Sequence, residues 1–338
     1  MWSERFLDDL LTEPTPELVE DIKNLQGDIL VLGAGGKMGP TLCVLASRAV
    51  KAAGVHKKII AVSRFSDETV KALLDSHGIE RVEADLLDPA QVADLPDAEN
   101  VIFMAGKKFG TTGQEYLTWA MNVMVPGLVA NRYQKSRILV FSSGNIYPMM
   151  PFYSGGADES VDPAPIGEYA QSCLGRERIF EYFSHAYGTK CLFYRLNYAV
   201  ALRYGVLYDL ASKIWDGKPV ELDTAGFNCI WQRDANEIAL RGLLHADNPP
   251  AIFNVTGPET VSTRNAAEKL GKYLGKEPVF CGQEQPEALL DNAGKAISVF
   301  GYPKVSLNTM IQWQAEWILN GGSSLGKPTH FAEREGKF

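Results

Sequence analysis

Over the first two hundred residues, short apolar runs alternate with longer stretches whose apolar residues return every third or fourth position. The runs at Ile29–Leu32, 59–62, 81–84, 101–105, 138–141 and 191–196 predict strands, and most gaps between them predict helices, the clearest over residues 41–53. Strands alternating with helices predict an α/β fold built on a doubly wound parallel sheet, with right-handed crossovers and a ligand crevice at the carboxyl ends of the strands. Ahead of the first strand, residues 1–26 read as a helical extension: an amphipathic segment, a Pro14-Thr15-Pro16 break and a helix over 17–25. From about Ala199 the alternation fades, and Pro219, Gly226, Pro249, Pro250, Gly257, Pro258 and Pro278 punctuate shorter elements. The pattern therefore divides into a sheet domain over 27–198, to which later segments return, and a smaller C-terminal substrate lobe over 199–320. That lobe is expected to hold a strand at 252–255 and helices at Thr263–Leu274 and Leu307–Leu319. The polar tail, 321–338, is expected to be mobile or docked on the surface.

Between the first strand and the first long helix lies Gly33-Ala34-Gly35-Gly36-Lys37-Met38-Gly39. Glycines there permit a tight bend and close backbone approach, and the N-terminus of the following helix offers N–H groups and a positive dipole end to a pyrophosphate. The turn therefore predicts a Rossmann-type dinucleotide site, the competing reading being a glycine-rich turn that holds no nucleotide. Its glycines Gly33, Gly36 and Gly39 are spaced by three, unlike the commonest G-x-G-x-x-G fingerprint.

Composition narrows the class. A 338-residue chain that is 46% apolar has material for a large core, and a net charge of −8 disfavours nucleic-acid or anionic-membrane partners, which require a basic surface. No apolar stretch approaches a bilayer span, and the acidic start is unlike a secretory signal, so a cytoplasmic location is expected. Five scattered cysteines and five isolated histidines lack metal-ligand spacing, and neither a disulfide framework nor a catalytic metal is expected.

The order of the motifs resembles the extended short-chain dehydrogenase/reductase family, also called the NAD-dependent epimerase/dehydratase family, over roughly residues 27–319. Gly33, Gly36 and Gly39 match its glycine turn, and Asp85-Leu86 matches the acidic segment that contacts adenine. Ala105 and Gly106 end the strand that passes beneath the cofactor, while Asn122 and Gly127 match the helix that follows. The resemblance assigns Lys37, Met38, Lys107 and Asn122 to the cofactor site beside the glycines. It also makes Ser143, at the end of 138–147, the catalytic hydroxyl. Tyr169-Ala170-Gln171-Ser172-Cys173 stands where the family has Tyr-x-x-x-Lys, followed by Glu177. Arg195-Leu196-Asn197, Ile230 with Asp234, and 253–257 match further segments.

Tyr169 is thereby the general acid/base, but Cys173 replaces the lysine whose ammonium would lower the tyrosine pKa. A thiol cannot supply that charge, and as a thiolate it would raise the tyrosine pKa further. Three readings follow: another cation (Lys107, Lys108 or Arg176) substitutes; Tyr169 acts unassisted and slowly; or the site binds nucleotide without doing chemistry.

At the end of the second strand, Ser63-Arg64 offers an arginine fork and no repelling carboxylate, which favours NADP over NAD, with Lys37 as a second charge. Tyr147, Tyr153, Tyr194, Tyr198, Tyr204, Tyr208, Trp215 and Trp231 offer rings for a sugar face or for ordinary packing. Where relatives acting on nucleotide-linked sugars carry a diphosphate-gripping arginine, Phe227 stands; Arg203, Lys213, Lys218 and Arg233 are the candidate replacements. The resemblance implies an NAD(P)-dependent oxidoreductase, epimerase or dehydratase acting by hydride transfer on a hydroxyl or keto group of a sugar-like or other polar small molecule. It also implies a homodimer through helices near 113–135 and Gly167–Tyr187. The alternative is a catalytically inert NAD(P)-binding regulatory or scaffold protein.

Overall fold

The computed structural model describes residues 2–108, 113–327 and 329–337; Met1 of the extension and Pro328 and Phe338 of the tail lie outside the described residues. Seven parallel strands form the central sheet: β1 (Ile29–Leu32), β2 (Ile59–Ser63), β3 (Glu80–Glu83), β4 (Asn100–Phe103), β5 (Arg137–Ser143), β6 (Lys190–Leu196) and β7 (Ala251–Val255). Their order is β3-β2-β1-β4-β5-β6-β7, so the topological switch lies between β1 and β4, where an open α/β sheet makes its ligand crevice. The six strand runs read from the sequence all form, within one or two residues at each end.

The expected strand at 252–255 forms but belongs elsewhere. As β7 it extends the central sheet, with Ala251 opposite Leu192 and Val255 opposite Leu196 on β6. Its inner residues Phe253, Asn254 and Val255 are buried, which suits a two-sided sheet strand better than a lobe element.

The extension is made of α1 (Glu4–Thr12) and α2 (Pro16–Asn24), each started by a hydroxyl cap: Ser3 accepts from the Phe6 N–H, Thr15 from the Leu18 N–H, and Pro16 sits in the first turn. The two helices face different cores. Leu7 and Leu11 pack among the lobe helices Val206–Trp215, Thr263–Leu274 and Leu307–Leu319, whereas Leu18, Ile22 and Leu25 pack with α3 (Gly39–Ala53) on one face of the sheet. The extension thus ties lobe to sheet, helped by Thr15 Oγ1 donating to Glu237 Oε1 at 2.6 Å.

On the opposite face lies α4 (Gly167–Tyr187), whose Phe180 meets Phe103 of β4. Beside it, Glu115–Trp119, a π-helical turn Ala120–Met124 and Val125–Arg132 run as one helix. Pro126 has no N–H to continue the regular ladder, and the widened turn lodges the buried side chain of Asn122. α5 (Gln232–Gly242), taken from the sequence as lobe, packs Ala235, Ile238 and Ala239 into the sheet core instead.

Candidate active site

Two cavities of about 260 Å³ each line the carboxyl ends of the strands and share Met104, Ala105 and Gly106 as their common wall. The one beside β2 is bounded by Gly33, Gly35, Gly36, Ser63, Arg64, Asp67, Asp85 and Leu86. The one beside β6 is bounded by Lys37, Met38, Lys108, Ser143, Asn145, Tyr169, Arg176, Tyr198, Tyr204 and Thr329, among others.

The glycine turn has the shape of a phosphate cradle. Gly33 has φ +90°, and a Cβ there would lie 2.6 Å from the backbone N of Ala105; at Gly39 it would lie 2.3 Å from the Ala34 carbonyl oxygen. Gly33 thus brings β1 against the end of β4, and Gly39 seats α3 on the strand. α3 starts at Met38 without a side-chain cap, so the helix N-terminus is presented to the crevice. A cleft runs from Asp85 past this turn to Tyr169.

Several residues stand away from their expected places. Gly39 is buried behind the turn rather than on the cavity wall. Lys37 turns from β2 toward β6: its Nζ donates to the Ala199 carbonyl at 2.8 Å and lies 3.6 Å over the Tyr204 ring, so it adds no charge at the β2 end. Burial pushes its pKa well down, the charge of Lys108 adding to this and Asp209 opposing it. Asn122 also lies behind the wall. Its amide accepts from the Lys107 N–H (2.9 Å) and Arg176 Nη2 (2.9 Å) and donates to the Lys107 carbonyl (3.0 Å) and Ser172 Oγ (2.9 Å). It clamps the loop after β4 to α4. Lys107 points outward, its Nζ on Gln114 Oε1 at 2.9 Å, whereas Lys108 faces the cavity.

Ser143, Tyr169 and Cys173 come together. Ser143 Oγ donates to Asn145 Oδ1 at 3.0 Å and accepts from the Asn145 N–H at 3.2 Å, and the Tyr169 hydroxyl shares hydrogen bonds with Ser143 and Cys173. Burial pushes the Tyr169 hydroxyl well above its ordinary pKa, and the Cys173 thiol adds to this; the Arg176 charge and the Ser143 bond oppose it. Lys108 Nζ lies 5.4 Å over the Tyr169 ring, and burial pushes that ammonium down to about 8.

Beneath this trio the remaining motif residues form one buried network. Arg195 pairs with Glu177 through two bonds (3.0 and 2.7 Å) and donates to the Tyr147 hydroxyl at 2.6 Å. Ser142 Oγ donates to Glu177 Oε1 at 2.6 Å, and Tyr147 to Asn254 Oδ1 at 2.9 Å. These groups fix β5, α4, β6 and β7 to one another below the cavity floor. Of the eight aromatics singled out in the sequence, only Tyr198 and Tyr204 line the cavity; Tyr147, Tyr194 and Trp231 are buried, and Tyr153 is exposed.

Three participants had no sequence signal. Asn145 orients Ser143, Asp291 lies buried against Gly144, and Thr329 of the tail lines the cavity while bonded to Asp209. Phe227, where relatives carry arginine, is buried with its ring 6.3 Å from Phe331 of the tail. Among the described residues no cluster of histidine, cysteine and carboxylate groups could hold a metal, and no helix is long and apolar enough to cross a membrane.

The sequence matches none of the curated proteins compared with it. The fold is shared with UDP-glucose 4-epimerase of Thermotoga maritima, solved with UDP-glucose (19% identity, TM-score 0.70, covering 87% of this chain and 99% of that one). It is likewise shared with UDP-glucuronic acid 4-epimerase of Bacillus cereus, solved with UDP-glucuronic acid and NAD (18%, 0.70, 87% and 99%), and with Pal of Bacillus thuringiensis (16%, 0.72, 87% and 99%). The model of the NAD dependent epimerase/dehydratase family matches residues 29–262, from β1 to the start of helix Thr263–Leu274, and spans the glycine turn, Ser143 and Tyr169: the chain belongs to that family of extended short-chain dehydrogenase/reductase enzymes.

Proposed function

We propose that this protein is an NAD(P)-dependent epimerase, dehydratase or reductase that works on a secondary hydroxyl or keto group of a sugar-like or other polar small molecule. The observation that carries the reading is the convergence of Ser143 and Tyr169 on the β6-side cavity, directly continuous with the glycine cradle. Gly33, Gly36 and the N-terminus of α3 would hold a pyrophosphate, Asp85 and Leu86 the adenine end, and Met104, Ala105 and Gly106 the span between the cavities. When bound, the nicotinamide supplies a hydride acceptor and donor.

Ser143 turns its one hydroxyl proton from Asn145 Oδ1 to the substrate oxygen, and Tyr169 takes or returns that oxygen's proton. Tyr198 and Tyr204 give the substrate ring-faced walls, and the tail residue Thr329 lines that end. Phe227, buried beneath Phe331, offers no charge to a diphosphate, which supports a substrate smaller than a nucleotide sugar.

For the cofactor we infer a preference for NADP. Arg64 is exposed on the β2-side cavity, and the nearby carboxylate of Asp67 is engaged in capping helix Glu68–Ser76 through the Thr69 N–H at 2.9 Å. The five cysteines stay apart in the fold, which suits the reducing cytoplasm proposed for the protein. The decisive experiment mixes purified protein with NADPH or NADH and a panel of keto sugars and small carbonyl compounds, and follows absorbance and product isomers. Turnover abolished in Tyr169→Phe with cofactor affinity kept is the expected result; bound cofactor with no turnover on any class would sink the enzymatic reading.

A further inference from the structure

Helical side chains lean back toward the helix N-terminus, and positions i, i+4 and i+7 share one face. On α4 those positions carry Tyr169, Cys173 and Arg176. Cysteine is short, and an arginine from the next turn is long enough to reach back beneath it. Arg176 is 5% exposed, lines the same cavity as Tyr169, and is paired with no carboxylate among the described residues, since Glu177 is committed to Arg195. Nη1 donates to the Phe141 carbonyl (2.5 Å) and Nη2 to Asn122 Oδ1 (2.9 Å), while Nε is buried without a partner. A buried cation held by neutral acceptors alone is costly unless something else in its site uses the charge.

The surroundings are shaped around it. Gly106 is the residue that lets the guanidinium approach the end of β4: a Cβ there would lie 2.8 Å from Nη2 and 3.0 Å from Asn122 Oδ1. Asn122, in its π turn, receives the same Nη2.

We propose that Arg176 is the displaced cation of this active site, supplying from position i+7 the positive charge that relatives place at i+4, with Cys173 leaving the room for it. This deepens the enzymatic reading, on which it rests. The groups that face Tyr169 are Cys173 and Arg176 from its own helix, Ser143 from β5 and Lys108 from the loop after β4. Arg176 is anchored to the frame by its bonds to the Phe141 carbonyl and Asn122, and its charge pulls both the Tyr169 hydroxyl and the Cys173 thiol downward against the larger upward push of burial. As a positioning residue for the charge on Tyr169, it acts through the electrostatics of the phenol rather than by touching the reacting atoms.

The test is the ionisation of Tyr169, read in the presence of saturating NADP as the tyrosinate difference absorbance between each protein and its Tyr169→Phe counterpart, together with the ratio of NADP to NADPH dissociation constants. Arg176→Met should make Tyr169 roughly tenfold weaker as an acid and shift the cofactor ratio roughly tenfold in favour of the oxidised form. Arg176→Lys should keep both near the parent values, and Cys173→Lys combined with Arg176→Met should restore them. If Arg176→Met does not fold, Gly106→Ala displaces the guanidinium without removing it and should weaken Tyr169 in the same direction. A folded Arg176→Met or Gly106→Ala protein with Tyr169 ionisation and cofactor ratio unchanged overturns the proposal. Failure of the enzymatic reading shows up separately, as bound cofactor with no turnover on any substrate class.

Discussion

The cavities beside β2 and β6 have equal volumes and a common wall, but the first is rich in glycine and the second in tyrosines and cations. At the β2 end, Gly33, Gly35, Gly36 and Gly106 with Ser63 and Ser66 form much of the surface, and the ionisable groups Arg64, Asp67 and Asp85 stand in or near solvent. At the β6 end, Lys37, Lys108 and the α4 pair Tyr169 and Arg176 are brought together from three separate stretches of the chain, and burial drives Lys37 and Lys108 down and Tyr169 up from their ordinary pKa values. Each end contains one non-glycine residue in left-handed backbone conformation, Phe65 (φ 43°) and Tyr198 (φ 42°). The difference separates two tasks. A glycine-rich surface lets a constant ligand come close to the backbone whatever its neighbours are, whereas perturbed titratable groups are where proton chemistry is done.

The largest effect should come from breaking the side-chain end alone. Tyr169→Phe removes the proton donor and acceptor and is expected to lower turnover on the order of 10³-fold, with cofactor affinity within about threefold of the parent by calorimetry. If the two ends are as separable as their construction implies, the converse also holds. Gly33→Val adds a branched side chain at φ +90° against the Ala105 backbone, and should weaken cofactor binding at least about 100-fold while the Tyr169 trio stays in place. Unchanged cofactor affinity in a folded Gly33→Val protein would show that the glycine turn is not the cradle.

The contrast also explains which parts were legible beforehand. The glycine turn, Asp85-Leu86 and the Ser143 and Tyr169 positions announce themselves because a short stretch of chain fixes both the residue type and its placement. Lys37 carries the same local signal but not its direction: whether its ammonium faces β2 or β6 depends on Ala199 and Tyr204, more than 160 residues later. Asp291 and Thr329 reach the site only through the folding of the lobe and tail, and nothing adjacent to them in the chain marks them. Residues 252–255 were readable as a strand, while their partner β6 was not, because pairing is a tertiary choice. Cys173 was conspicuous as a departure, and its remedy two helical turns from Tyr169 emerges from how far an arginine reaches.

A third effect concerns the buried charge around the β6 end. Asp291 is 1% exposed, neither carboxylate oxygen has a hydrogen-bond partner, and burial pushes its pKa from 3.8 up to about 8, with Arg195 opposing the shift and Glu159 reinforcing it. Between those two values the native protein keeps a proton that the unfolded chain has lost, so stability is greatest below pH 3.8 with respect to this group and falls as pH rises toward 8. Asp291→Asn is neutral throughout. Its stability relative to the parent should therefore rise with pH across that window by on the order of a few kcal/mol, seen as diverging Tm values in acid and at mildly alkaline pH. Parallel pH profiles would mean that the carboxyl finds a partner in solution and that the side-chain end is less desolvated than its geometry indicates.

The smallest effect should come from the β2 end, where solvent weakens every charge. Arg64 is exposed, and its guanidinium fork lies beside Ser63 on the wall that would receive the adenosine ribose. A 2′-phosphate there gains a charge-assisted pair but in high dielectric, so Arg64→Ala should weaken NADP binding only about tenfold, close to 1.4 kcal/mol, and leave NAD binding nearly unchanged. Raising the salt concentration should narrow the gap between the two cofactors in the parent and have little influence in the variant, since a screened surface charge is what distinguishes them. Lys37→Met provides the internal control. Because its ammonium faces Tyr204 rather than Ser63, it should alter both cofactors alike, and a selective loss of NADP affinity in that variant instead would return Lys37 to the β2 end and dissolve the division between the two halves of the crevice.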